Sequence, residues 1–264
     1  MEEFKIKDKY NVYDLQKLTA LLRSENGCPW DREQTHESIR RNFIEETYEV
    51  IEAINEKDTA HLLEELGDVL TQVVFHASIE EDAGRFDLDD VADGVCKKLV
   101  MRHPHVFAGT TVNNSDDVLV KWDEIKRVEK KQASVTDSIK SVSKTLPGLW
   151  RAEKIQKKAA KVGFDWDDIS GALDKLEEEI RELREAISSG ENVSGELGDV
   201  LFSAVNVSRF AKVDPEDAIN DTCNKFIDRF EFLEETAQKR GLNLSDMTLE
   251  EMDAIYNEGK ALEK

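Results

Sequence analysis

The run HLLEELGDVLTQVVF, residues 61–75, sets apolar side chains at three- and four-residue spacing around a Glu, a Gly and an Asp. That period belongs to an amphipathic helix and not to a strand. Its central hexapeptide, ELGDVL at 65–70, returns unchanged at 196–201 and again opens an apolar stretch. A Gly costs a helix interior about 1 kcal/mol relative to Ala, so Gly67 and Gly198 need a reason to be there. Close approach of a facing helix is the expected one. The helical period continues almost throughout the chain, whereas strand alternation and Asn-Gly or Asp-Gly hairpin signals between such runs are missing. The fold class is therefore all-α.

Caps and breakers divide the pattern. Helices are predicted over 11–24, 33–56, 59–82, 88–102 and 115–131, then over 148–161, 168–188, 193–212, 215–240 and 248–262. Asp214-Pro215 reads as an N-cap followed by Pro at the first helical position. The polar stretch KKQASVTDSIKSVSKTLPG suits a linker. The halves on either side repeat each other. Asp87, Asp90, Cys96, Lys98 and Arg102 reappear at identical spacing as Asp214, Asp217, Cys223, Lys225 and Arg229. CPWD before one long helix matches FDWD before another, and Trp122 with Lys126 matches Tyr256 with Lys260. A duplicated helical-bundle domain follows: an N-terminal copy at 1–131, a linker at 132–147 and a C-terminal copy at 148–264.

With 57 acidic and 36 basic residues the net charge is -21, which lacks the basic footprint of phosphate-gripping proteins and argues against nucleic acid as a partner. Cys28, Cys96 and Cys223 lie far apart without paired spacing, unlike a zinc site or a disulfide framework. They read as reduced thiols. The start MEEFKIKDKY has no signal-type apolar core, and no run approaches the roughly 18 apolar residues of a membrane span. A cytoplasmic, soluble protein without membrane attachment is the expectation.

Acidic residues precede each hexapeptide: EETYE holds Glu45, Glu46 and Glu49, and EEIRE holds Glu178, Glu179 and Glu182. In so acidic a chain such a triplet alone means little, since charged helix faces are ordinarily just solvated. The combination says more. At 100° per residue, Glu46 and Glu49 lie about 60° apart on one helix, as do Glu65 and Asp68 on the next. Both pairs are embedded in apolar runs, so the faces that carry them should also pack. Four carboxylates meeting at a helix interface repel unless something positive sits among them. With no Cys or His pattern alongside, a hard divalent cation, Mg2+ or Mn2+, meets that need. Glu179, Glu182, Glu196 and Asp199 form the second quartet.

Lys98 and Arg102, like Lys225 and Arg229, share a helix face, and Lys126 or Lys260 follows an aromatic ring by four residues. Exposed Lys and Arg are usually solubilising, and Trp122 and Tyr256 read equally well as core. Their recurrence in an acidic protein also fits an anion-holding role. Acids for metal, bases for phosphate and a ring for a nucleobase together describe a site for a metal-bound nucleotide.

ENGCPWD, EETYEV, ELGDVL, GRFD and RHPHVF, in that order, closely resemble the two-domain MazG family of nucleoside triphosphate pyrophosphohydrolases, over nearly the whole chain. The resemblance implies tandem helical bundles of the all-α NTP pyrophosphatase fold, working as a tight homodimer. It also implies Mg2+-dependent cleavage of a nucleoside triphosphate between the α- and β-phosphates. The family's ligands fall on Glu46, Glu49, Glu65 and Asp68, and on Glu179, Glu182, Glu196 and Asp199. Glu45 and Glu178 are placed to orient or deprotonate the attacking water, and Lys and Arg to offset charge on the leaving pyrophosphate. On the same helix face, seven residues beyond Asp199, stands Asn206, where the first copy has Phe75. An amide there can bond a base or sugar or orient a carboxylate, so the C-terminal half is expected to be the main hydrolase. RHPHVF, with His103 and His105 flanking a Pro, has no counterpart after Arg229 and reads as a helix end.

Two other classes compete with this reading. Di-iron carboxylate bundles use ExxH from two helices, and the one match here, Glu33 to His36, lies outside the quartets. A non-catalytic helical dimer scaffold, or a regulatory protein that binds nucleotide or metal, predicts cation binding without turnover.

Overall fold

The computed structural model describes residues 4–112, 114–129 and 134–262, and helices are the only regular elements among them. The chain forms two compact units, Met1–Lys126 and Arg127–Lys264. The first holds α1 (Val12–Arg23), α2 (Pro29–Glu33), α3 (His36–Glu56), α4 (Thr59–Asp82), α5 (Leu88–Arg102) and α6 (Pro104–Phe107), with α7 (Ser115–Glu129) running across the boundary. The second holds α8 (Val135–Lys140), α9 (Gly148–Ala160), α10 (Ile169–Ser189), α11 (Val193–Ala211), α12 (Pro215–Lys239), a 3-10 turn (Leu244–Asp246) and α13 (Leu249–Leu262). No helix among the described residues is long and apolar enough to cross a membrane.

A helical hairpin forms the centre of each unit. Lys57, in the left-handed conformation at φ 58°, ends α3. The Asp58 carboxylate then accepts the amides of Ala60 at 2.9 Å and His61 at 3.1 Å, so α4 starts at once and turns back along α3. In the second unit Gly190 at φ 76° ends α10, and Asn192 at φ 53° leads into α11. Against the hairpin's other side lies α1 in the first unit and α9 in the second. Ile39, Ala53, Val74, Phe75 and Ala77 are buried in the first unit, and Ala172, Ala186, Val205, Leu233, Ala237 and Ile255 in the second.

The predicted helix over 33–56 is broken. Thr35 and Ser38 cap each other, the Thr35 hydroxyl accepting the Ser38 amide at 3.3 Å and the Ser38 hydroxyl the Thr35 amide at 2.9 Å. This box starts α3 at His36 and leaves 29–33 as a separate turn of helix begun by Pro29. RHPHVF ends α5 as expected, but Pro104 then opens the short α6. The polar stretch between the halves also carries structure. Ser134 and Asp137 cap α8 reciprocally, Lys158 donates to the Ser138 hydroxyl at 2.7 Å, and Val142 is buried.

A polar clamp fastens the start of α3 to the end of α4. His36 Nε2 lies 2.6 Å from Glu80 Oε1, and His36 Nδ1 lies 2.6 Å from His76 Nδ1, with the two rings stacked at 4.9 Å. Arg85 donates to both oxygens of Glu80, from Nη2 at 2.8 Å and from Nε. The Arg85 and His36 hydrogen bonds hold the buried Glu80 carboxyl at about 2, against an ordinary 4.5. A carboxyl lowered on folding adds stability above its unfolded value and loses it as the pH falls toward the folded one. Glu80→Gln should therefore lower stability at neutral pH and flatten its decline between about pH 4.5 and pH 2. Urea unfolding of both proteins across that range is the measurement; parallel acid limbs would contradict the assignment.

Candidate active site

The hairpins bring the predicted acids together. On α3 and α4, Glu46, Glu49 and Glu65 each offer an oxygen within 4.8 Å of the others. Glu179 from α10 with Glu196 and Asp199 from α11 do the same in the second unit. The remaining members are electrostatic neighbours: Asp68 acts on Glu46, and Glu182 feels Glu179 and Glu196. Each cluster grades from a buried acid, Glu65 or Glu179, to an exposed one, Glu49 or Asp199.

Repulsion is met differently in the two clusters. In the first, the Glu46 carboxyl is pushed up by desolvation and then by the charges of Asp68 and Glu49. The Glu65 carboxyl is pushed up by desolvation and by Glu49, and its Oε2 is buried without a hydrogen-bond partner. His61, one turn earlier on α4, approaches Glu65 Oε1 at 3.2 Å. In the second, Lys175 lies 2.7 Å from Glu179 Oε1 and 3.0 Å from Glu178 Oε1. Desolvation and then Glu179 raise the Glu182 carboxyl, with Lys175 opposing. Asn192 takes the place of His61 and donates to Glu196 at 2.9 Å. A buried, unpartnered carboxylate oxygen among converging acids fits a hard cation with oxygen ligands, and both quartets supply that donor set. Lys175, His61 and Asn192 were missed in the sequence, where only their i−4 spacing from Glu179, Glu65 and Glu196 could have marked them.

The leading acids are pinned from their own helices, Glu45 by Arg41 at 2.8 Å and Glu178 by Lys175. The basic and aromatic positions form matching pairs. The Arg102 guanidinium lies 5.5 Å from the Trp122 ring centroid, and that of Arg229 lies 5.9 Å from Tyr256. His103 meets Trp122 edge-on at 4.9 Å, and Phe226 lies 5.9 Å from Tyr256. Lys98, Lys225 and Lys260 are exposed, and Lys126 is half-buried. Asn206 accepts two hydrogen bonds from Arg209, at 3.0 and 2.8 Å, and Arg209 in turn grips Asp165. Glu33 and His36 fall on separate helices, α2 and α3, so they form no ExxH face.

The expectation of close packing at Gly67 and Gly198 is overturned within the chain. A Cβ at either position would meet nothing within 4 Å. The face around them is apolar and open, with Leu63 at 77%, Leu66 at 51% and Leu201 at 51% exposure.

A tandem of all-α hairpins, each gathering an ExxE and an ExxD pair, defines a class. The chain belongs to the MazG family, whose nucleotide pyrophosphohydrolase domain matches residues 34–107 and 169–232, the stretches that contain both clusters. It is 44% identical to a Thermotoga maritima protein named nucleoside triphosphate pyrophosphohydrolase/pyrophosphatase MazG, over 94% of each chain. It is 41% identical to an Escherichia coli nucleoside triphosphate pyrophosphohydrolase, over 93% of this chain and 95% of that one. A Bacillus subtilis protein, YabN, described as uncharacterized, is 51% identical over 92% of this chain, which spans 50% of that protein's length.

Raised carboxyls in the first cluster make a signed prediction. Just above the ordinary Glu range, at about pH 5, part of the Glu46 and Glu65 population holds protons that a divalent cation must displace. Adding Mn2+ should release protons there, and Glu46→Gln should reduce the release; calorimetry in two buffers of different ionisation enthalpy reads it. Without cation these raised groups cost stability increasingly as the pH rises through their folded values.

Proposed function

We propose that this protein hydrolyses nucleoside triphosphates, ribo- or deoxyribo-, to nucleoside monophosphate and pyrophosphate with Mg2+ or Mn2+, as a housekeeping or stress-related control on nucleotide pools. The observation that carries the reading is the convergence, in each unit, of three acids drawn from an ExxE and an ExxD pair, one of them buried. The names of the Thermotoga and Escherichia relatives support the reaction. A divalent ion at the quartets supplies charge neutralisation for phosphate oxygens and acidifies water. Glu178 and Glu45, each held by a cation on its own helix, orient or deprotonate the attacking water. Lys225 and Arg229, with Lys98 and Arg102 in the other unit, offset charge on the leaving pyrophosphate, while Tyr256 and Trp122 offer ring surface to the base.

The C-terminal half is the main hydrolase in this reading. Support comes from Asn206 on α11, a polar amide seven residues beyond Asp199, where the first unit has the buried ring of Phe75. The working form is a homodimer. Ile44, Tyr48, Leu63, Leu66 and Leu70 around the first hairpin, and Leu173, Ile180, Leu197, Leu201 and Phe202 around the second, are exposed large apolar residues beside the carboxylates. A second copy covers such a surface better than water does.

A panel of NTPs and dNTPs with Mg2+, assayed separately for pyrophosphate and orthophosphate, tests the reaction; orthophosphate as first product would sink it. Glu182→Gln should cut pyrophosphate release by about a hundredfold or more, and Glu49→Gln much less. An unchanged rate in Glu182→Gln would remove the C-terminal assignment. Gly198→Ala should stabilise α11 by up to about 1 kcal/mol yet weaken self-association, because its Cβ meets nothing in the chain but would meet a second copy. Sedimentation velocity and thermal melts read the two effects apart.

A further inference from the structure

In a carboxylate cluster that binds a cation, an ammonium already in place competes with that cation. Lys175 is such an ammonium. Its Nζ lies 2.7 Å from Oε1 of Glu179, which is 6% exposed, and 3.0 Å from Oε1 of Glu178. Glu179 is the buried member of the second cluster, so a divalent ion seated with Glu179, Glu196 and Asp199 must share this carboxylate with Lys175 or evict it. A lysine ammonium is charged at neutral pH, so Lys175 brings a positive charge into contact with both carboxylates.

The first cluster has no lysine at the position that matches Lys175. The residue four positions before Glu46, which matches Lys175 four before Glu179, is Asn42. Arg41, the adjacent cation, is taken by Glu45 outside the cluster. Glu65 is 8% exposed, with one oxygen facing His61 and the other buried and unpartnered. One cluster is thus internally neutralised in part, and its copy in the same chain is left with an unmet demand for positive charge.

We propose that the two clusters are unequal cation sites set by residue 175 and its counterpart 42: the N-terminal cluster binds a free divalent ion tightly, and the C-terminal cluster binds one weakly until Lys175 is displaced. The inference rests on the reading of both quartets as metal sites. Its consequence is a division of roles, with a resident ion in the first unit and an exchangeable one in the second. Exchange at the second site becomes favourable when the arriving cation brings an anion to receive the displaced ammonium.

Mn2+ titration of the full chain, with free Mn2+ followed by electron paramagnetic resonance, tests this without reference to turnover. Two classes separated by about tenfold or more are expected. Glu65→Gln should remove the tight class and Glu196→Gln the weak one. Lys175→Met should tighten the weak class by about tenfold, and Asn42→Lys should weaken the tight one comparably. The two exchanges sit in different units, so a folding defect in one variant leaves the other decisive. A single class, or a weak class indifferent to Lys175→Met together with a tight class indifferent to Asn42→Lys, overturns the inference even where pyrophosphate is released normally. Absent pyrophosphate release with both classes intact would instead strike the proposed reaction and leave the inequality standing.

Discussion

Three carboxylates with oxygens inside 4.8 Å repel one another, and a helix interface lowers the dielectric that would otherwise screen them. The two hairpins exist around that conflict. Each places its acids by backbone geometry: a connection of two or three residues folds the second helix back, and one-turn spacing puts each pair on the facing side. What neutralises the charge is left to a few side chains. In the first unit the conflict shows as the raised carboxyls of Glu46 and Glu65, pushed up by desolvation and by the neighbouring acids. In the second an ammonium offsets part of the charge.

Holding repelling groups together needs fasteners elsewhere, and the copies use different ones at the same place. In the first unit His36 at the start of α3 grips Glu80 near the end of α4, with His76 and Arg85 joining. In the second Asp165, just before α10, is gripped by Arg209 near the end of α11. Both tie the entrance of the first hairpin helix to the exit of the second, at the open end of the hairpin, where no connecting turn restrains separation. Arg23 adds to this in the first unit, reaching the Asp31 carbonyl at 3.0 Å and Asp82 at 2.8 Å. Charged hydrogen bonds suit that task because they are directional and survive partial exposure.

Helix period, caps and the one-turn spacing of acids were legible in the chain because they are local. The long helices and the approach of three acids from each quartet follow from them. What stayed hidden depends on distant partners or on weak local signals. Thr35 and Ser38 lack the Glu or Gln of the usual capping box, so the break before α3 was invisible within an otherwise continuous apolar period. His36 is 40 residues from His76 and 44 from Glu80. Gly67 and Gly198 were misread because a helical Gly normally signals a neighbour inside the same fold, and here the neighbouring space is empty within the chain.

Phe75 and Asn206 stand apart as the divergence seven residues beyond the repeated Asp, and their surroundings give it a mechanical meaning. Phe75 is buried at 8% exposure beneath the Arg23 guanidinium, 5.1 Å away. Asn206 fixes Arg209, which holds Asp165. Each residue thus orients the arginine that fastens its own unit, one through its ring face and the other through its amide oxygen. An amide already spending its oxygen on Arg209 has only its N–H donors left for a ligand. The divergence that reaches the carboxylates themselves lies elsewhere, in Asn42 against Lys175 and His61 against Asn192. Lys175 brings a charge and Asn192 an amide donor to the acids of the second unit, where the first unit has only His61 against Glu65 among these positions.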